Sequence, residues 1–252
     1  DYQSGGLSYG SETATHEIDT ALFAGLVYDL SRHYSVYAST GRIFQPQAEV
    51  DAQRQRLPSA EGVSNELGLK GVWFEQRLNA SLSVFDTRQK DLALADGTIP
   101  GSADTAYAPT DVTSRGYELD VAGELTEQLD ISAGLSQVRV ENDQGVRERR
   151  YVPKHRAHLL LAYDVPQWQG VRLGTRLRWQ SKVSYTSAPG MTFSQDDYTL
   201  VDLMLHYDIS KHWSTTLNIN NLTDRKHLTS LLYDQSYYGE PRNVNLAVNW
   251  KL

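Results

Sequence analysis

Tyr107, Tyr185, Phe193, Tyr233, Tyr237 and Tyr238, with Met191 beside them, stand in stretches rich in Ser, Thr, Asp and Gly. Aromatic rings presented on loops stack on flat ligands, and Tyr hydroxyls add hydrogen bonds, so these residues are candidates for recognising a small organic ligand. Ordinary loop packing is the plainer use of most of them. A basic cluster, Arg147, Arg149, Arg150, Lys154 and Arg156, is suited to phosphate groups, with a solvated loop run as the plainer reading. Glu118, Asp120, Arg172, Arg176 and Arg178 alternate with apolar neighbours and would share one polar face. Catalytic chemistry is harder to find. The seven His are scattered without an H-x-x-x-H pair, and no Ser/His/Asp or paired-carboxylate arrangement stands out. The chain reads as a binding protein, not an enzyme, with no cofactor or metal of its own.

Composition narrows the field further. There are 24 basic and 31 acidic residues, giving a net charge of -7, which disfavours a nucleic-acid partner. The absence of Cys removes disulfides, thiolate metal sites and Cys nucleophiles. The 252 residues fit one large β or α/β domain, or two ordinary ones, and we treat residues 1–252 as one. The polar opening Asp1-Tyr2-Gln3-Ser4-Gly5-Gly6 lacks the features of a signal peptide. No apolar run approaches the roughly 18 residues of a membrane helix, so simple hydropathy suggests a soluble protein.

The periodicity says otherwise. Val244, Leu246, Val248, Trp250 and Leu252 alternate with Asn243, Asn245, Ala247, Asn249 and Lys251. Val171, Leu173, Thr175, Leu177 and Trp179 alternate with Arg172, Gly174, Arg176, Arg178 and Gln180. A period of two places one apolar and one polar face on each strand. The pattern predicts about eleven strands, near 20–30, 33–45, 62–74, 77–90, 107–125, 129–142, 151–165, 171–185, 196–209, 212–225 and 240–252. Many exceed the usual ~5–6 residues and reach the ~9–11 needed to cross hydrocarbon.

The connections alternate too. Short turns are expected at 31–33, 75–76, 126–128, 166–170 and 210–211. Long polar connections are expected at 46–62, 91–106, 143–150, 186–195 and 226–239. That alternation is the pattern of an antiparallel up-and-down transmembrane β-barrel, with short periplasmic turns and long outer loops. Tyr28, Tyr34, Trp73, Tyr163, Tyr207, Trp213 and Trp250 all fall on apolar faces beside a short turn or the C-terminus. Trp179 and Tyr117 lie roughly 20 Å further along, close to the ~25 Å apolar band of such barrels. Aromatic residues prefer the two membrane interfaces, so these form two candidate girdles. An odd strand count leaves both edge strands unpaired, and such barrels must close. Either one further strand escapes the pattern or the chain is part of a larger barrel, and the missing signal peptide favours the second.

Specific residues carry a resemblance. Asn220-Asn221-Leu222-Thr223-Asp224-Arg225-Lys226 is followed by Tyr238-Gly239-Glu240-Pro241-Arg242 and a terminal strand ending Trp250-Lys251-Leu252. Together with Ile43-Phe44-Gln45-Pro46, Ser114-Arg115-Gly116-Tyr117-Glu118-Leu119 and Tyr198-Thr199-Leu200-Val201-Asp202-Leu203, these resemble the TonB-dependent outer-membrane receptors, specifically the ferric-siderophore receptors. Thr223 departs from the family's usual aromatic, His227 from its Tyr and Leu252 from its final Phe.

The resemblance implies a barrel of about 22 strands closed around an N-terminal plug, of which this chain would be the last eleven. The plug, the TonB-contacting segment and the first barrel half would lie elsewhere. It implies the outer membrane of a Gram-negative bacterium and a ferric siderophore as transported ligand, hydroxamate-type or pyoverdine-like. The loop aromatics would grip the ferric chelate. Glu118, Asp120, Arg172, Arg176 and Arg178 would face the plug, although a water-filled lumen calls for polar residues in any case. Val248, Trp250 and Leu252 would be read by the barrel-assembly machinery, and the basic loop would meet lipopolysaccharide in the surrounding lipid. The alternatives are a truncated fragment that is only an assembly substrate, and a soluble all-β binding protein.

Overall fold

The computed structural model describes residues 3–4, 7–8, 20–188, 190–231 and 236–251. A short pair, β1 (Gln3–Ser4) and β2 (Leu7–Ser8), precedes the main sheet. The sheet contains β3 (Phe23–Asp29), β4 (Tyr34–Gln45), β5 (Ala60–Trp73), β6 (Leu78–Thr98), β7 (Thr105–Thr126) and β8 (Leu129–Asn142). It continues through β9 (His155–Asp164), β10 (Val171–Gln180), β13 (Tyr198–Asp208), β14 (Trp213–Asn220) and β15 (Asn243–Trp250). A separate hairpin, β11 (Val183–Ala188) and β12 (Met191–Gln195), is inserted between β10 and β13. The eleven strands of the sheet lie in chain order and are antiparallel throughout, with β3 and β15 as its two edges.

The register turns the two-residue period into two continuous surfaces. Leu69, Leu82, Leu119 and Leu135 are successive cross-strand partners on one face. So are Tyr163, Leu173, Leu205, Leu217 and Leu246, and beside them Leu161, Thr175, Leu203, Ile219 and Val244. Most of these side chains are open to the surroundings, Leu82 by 46% and Leu246 by 68%, and the rest are half-buried. An apolar surface of this extent is far beyond what a soluble monomer exposes, so it is the lipid face of a transmembrane barrel. The rim aromatics stand on it as expected. Tyr34 and Trp73 make a T-shaped pair at 5.7 Å, and Trp213 and Trp250 lie 6.5 Å apart.

Several boundaries differ from the sequence reading. The connection expected at 91–106 is mostly strand, because β6 and β7 continue past the membrane band as a hairpin. A bulge between Gln89 and Leu92, with Asp91 at φ 56°, breaks the alternation there and hides the continuation. The expected strand 171–185 stops at Gln180, and Val183 starts the extra hairpin across what was expected to be loop. The strand expected from 151 begins at His155, after Pro153. The last two strands are trimmed where Asn221 turns left-handed at φ 48° and where Pro241 interrupts the ladder.

The turn between β5 and β6 holds three consecutive left-handed residues, Phe74, Glu75 and Gln76, at φ 53°, 57° and 70°. Only Gly adopts this region without steric cost. Glu75→Gly is expected to stabilise the folded barrel by about 0.5–1 kcal/mol, seen as a higher urea midpoint.

Outer loops and luminal face as the candidate site

The small buried core lies not in the barrel wall but above it. Ala60, Leu92 and Val112 pack together with Leu94 and Val140. The 46–59 loop closes over the β6–β7 extension through Gln47, which is buried. Its amide donates to the carbonyls of Pro58 and Asp91, both at 2.7 Å, and its oxygen accepts from Ala93 N at 2.8 Å. Tyr107 sits on this extension, half-buried, and its backbone N–H donates to Val50 O at 3.0 Å. This loop is thus a fixed platform, held by a polar group whose every bond is made inside the protein.

A second outer assembly joins three connections. Tyr185 pairs across the β11–β12 hairpin with Phe193, and its ring meets Tyr151 edge-on at 6.3 Å. Ser184 N donates to Arg150 O at 3.0 Å, tying this hairpin to the 143–154 loop. Leu228 N donates to the Gln195 side chain at 2.9 Å, tying the hairpin to the last loop. Met191 and Phe193 remain exposed, as do Tyr237 and Tyr238, the latter by 77%. Tyr233 lies outside the described residues. The structure therefore gathers Tyr185, Phe193, Met191, Tyr237 and Tyr238 on linked loops and places Tyr107 on the other platform. Tyr151 was missed by the sequence reading, because nothing in its own neighbourhood signals a partner 34 residues away in the chain.

The last loop hangs from one buried carboxylate. Asp202 on β13 accepts from Arg176 Nε at 2.7 Å and Arg178 at 3.1 Å, and from Asn221 N at 2.9 Å. Asn221 in turn donates to the carbonyls of Arg225 and Glu240, both at 3.0 Å, and accepts from Arg225 N. Arg242 N closes the far side on Asp224 at 2.9 Å. The Asn-Leu-Thr-Asp-Arg stretch is thus a clamp that folds the loop back over the strand ends. Beside it the Tyr198 and His227 rings lie 4.7 Å apart.

The polar face carries the other charged candidates. Arg172 bridges Asp130 and Asp164, the latter at 3.0 Å. Arg172, Arg176 and Arg178 are all partnered within the barrel wall, whereas Glu118 and Asp120 are exposed and have no ion pair among the described residues. The two acids are therefore the ones still open to a partner in the lumen.

The basic cluster separates. Arg147 is half-buried, its guanidinium donates to Val152 O at 3.2 Å, and burial together with Arg150 and Arg139 lowers its pKa. Arg149 and Arg150 are exposed on the loop, and Arg156 lies on β9. Nearby, Lys182 holds the Asp196 carboxyl below the usual range through a 2.7 Å hydrogen bond. At the terminal strand, Val248 and Trp250 lie on the lipid face with Thr215 and Trp213 as partners, and Leu252 lies outside the described residues.

Residues 16–222 match the family described as "TonB dependent receptor-like, beta-barrel". The chain is 37% identical over 243 residues to the ferric-pyoverdine BN7/BN8 receptor of Pseudomonas putida, covering 93% of this chain and 29% of that protein. It is 32% identical over 242 residues to the ferripyoverdine receptor of Pseudomonas aeruginosa, covering 90% and 30%. The crystal structure of the ferripyoverdine receptor of the outer membrane of Pseudomonas aeruginosa bound to ferripyoverdine superposes with a TM-score of 0.81 at 32% identity, over 90% of this chain and 32% of that one. The chain thus spans about three-tenths of the length of these relatives.

Proposed function

The chain belongs to the TonB-dependent receptor β-barrel family, and on that premise we propose that it is the C-terminal half of the barrel of an outer-membrane receptor that takes up a ferric siderophore. The cargo class is pyoverdine-like or another hydroxamate chelate. The observation that carries this reading is similarity to ferric-pyoverdine receptors along nine-tenths or more of the chain. Uptake would be energised through TonB, acting on a plug supplied by the rest of the polypeptide.

In this reading the linked outer loops do the recognising. An iron chelate arrives with its metal already enclosed by the siderophore, so the protein needs contacts to the organic shell and not ligands to the iron. Tyr185, Tyr237 and Tyr238 offer ring faces and hydroxyls, Phe193 a ring face alone, and Tyr233 and Tyr107 complete the candidate set. The clamp on Asp202 and the Gln47 platform hold the loop bases rigid, which lowers the ordering cost of binding. Exposed Glu118 and Asp120 would contact the plug, and Arg149 and Arg150 would meet lipopolysaccharide phosphates.

Tyr185→Ala and Tyr238→Ala in the whole receptor are each expected to weaken ferric-pyoverdine binding by about tenfold, or ~1.4 kcal/mol. Tyr207→Ala, at the opposite rim, is expected to leave it unchanged. Equilibrium titration of the detergent-solubilised protein reads both. Unchanged affinity in both loop variants would reject the loop grip.

A further inference from the structure

One stretch of the sequence occurs twice. Tyr28-Asp29-Leu30-Ser31-Arg32-His33-Tyr34-Ser35 joins β3 to β4, and Tyr207-Asp208-Ile209-Ser210-Lys211-His212-Trp213-Ser214 joins β13 to β14. The two copies fold alike. Ser31 Oγ accepts from His33 N at 3.1 Å and Tyr34 N at 3.2 Å, and Ser210 Oγ accepts from His212 N at 3.3 Å and Trp213 N at 3.2 Å. Leu30 N donates to Tyr34 O, and Ile209 N to Trp213 O, both at 2.9 Å.

The His of each copy grips the next strand at two points. His33 O accepts from Val72 N at 2.9 Å while its Nδ1 lies 3.0 Å from Val72 O. His212 does the same to Lys251, at 2.9 and 3.1 Å. A carbonyl only accepts, so Nδ1 carries the proton in both and the ring orientation is fixed, with Nε2 outside the clasp. The copies differ at one point: Ser35 donates to Asp29 at 2.7 Å, whereas Asp208 faces His206 at 3.3 Å.

The Ser hydroxyl, the His Nδ1 and the turn backbone are thus engaged within the protein, whereas the cation at the tip is not. Arg32 and Lys211 occupy the same place, are exposed, and have no ion pair among the described residues. The remaining short turns are different. Arg77, beside the β5–β6 turn, is paired with Glu124 at 3.2 Å, and the β7–β8 turn carries Glu127 and Gln128. The 165–170 turn carries no Lys or Arg, so among the described residues only the repeated turn holds out an unpaired cation beside exposed aromatic rings: Tyr28 and Tyr34 in one copy, Tyr207 and Trp213 in the other.

We propose that each copy binds the phosphate of a glycerophospholipid headgroup in the periplasmic leaflet, through Arg32 in one and Lys211 in the other. The aromatic rings settle at the membrane interface, and the tip extends just beyond them, where the headgroup phosphates lie. Arg and Lys both bind phosphate there, the Arg as a fork and the Lys as a point charge. The copies stand on β3–β4 and β13–β14, near the two ends of the open sheet, so each site lies beside one of the two seams where the rest of the barrel joins.

This inference rests on the membrane-barrel reading, and the test separates the two. The whole receptor is purified in mild detergent and examined by native mass spectrometry with added phosphatidylglycerol, after its folded state is checked by heat-modifiable mobility. Arg32→Gln and Lys211→Gln, singly, are each expected to weaken phosphatidylglycerol retention at one site by about fivefold, and the double variant at both. Arg54→Gln, whose side chain is paired with Asp104, is expected to leave it unchanged. Undiminished phosphatidylglycerol on folded single and double variants would overturn the proposal, as would loss of lipopolysaccharide in its place, which would put these turns at the outer leaflet. A protein that never shows barrel mobility would instead refute the membrane reading itself.

Discussion

Leu203→Arg is expected to destabilise the folded barrel by about 2–4 kcal/mol, the cost of a cation on the lipid face near the bilayer midplane. Leu203 lies between Thr175 and Ile219 in the cross-strand row, roughly halfway between the rim at Tyr207 and the outer girdle at Trp179. Asn218→Arg, on the polar face of the neighbouring strand, is expected to cost less than about 1 kcal/mol, since a luminal cation stays hydrated. The comparison cancels the loss of strand propensity common to both, leaving the difference between lipid and water. Urea titration of the whole protein refolded in lipid reads both variants. Equal tolerance of the two would mean that the apolar face is covered by protein and not lipid.

Asp202→Ala is expected to cost about 2–4 kcal/mol and to release the last outer loop. Its carboxylate is only 8% exposed and is the shared acceptor of two guanidiniums and the Asn221 N–H. Both arginines are nearly half-exposed, so the loss from each ion pair is screened, and most of the effect comes from the orphaned Asn221 N–H and the opened turn. Hydrogen exchange should accelerate across 221–231 and 236–242 while the strand β8 amides stay protected. Asp202→Asn keeps one acceptor for Asn221 and is expected to show a smaller effect. Exchange unchanged in Asp202→Ala would mean that the loop is held by its other contacts, such as Gln195 with Leu228.

The barrel wall was legible because lipid enforces a strict two-residue period: a slipped register would move Leu205 and Leu217 into the lumen and their polar neighbours into hydrocarbon. The rim aromatics were legible for the same reason. The β6–β7 extension was not, since above the membrane that pressure ends and the bulge at Asp91 shifts the phase of Leu92 and Leu94. The candidate site was legible only by residue type. Sequence order gave no sign that Tyr151 would meet Tyr185, or that Asp202 would hold Asn221, because both are contacts between separate strands and loops. The charges of the polar face show the same limit. Five residues of the right type shared a face, but only the fold reveals that the three arginines are satisfied within the wall and that Glu118 and Asp120 are left open.

The central claim is best tested by titrating the whole receptor, folded in detergent, with ferric pyoverdines and ferric hydroxamate siderophores. Saturable binding of at least one of these chelates, lost when the outer-loop tyrosines are replaced and retained when Tyr207 is replaced, is the predicted result. A folded barrel that binds none of them would contradict the account.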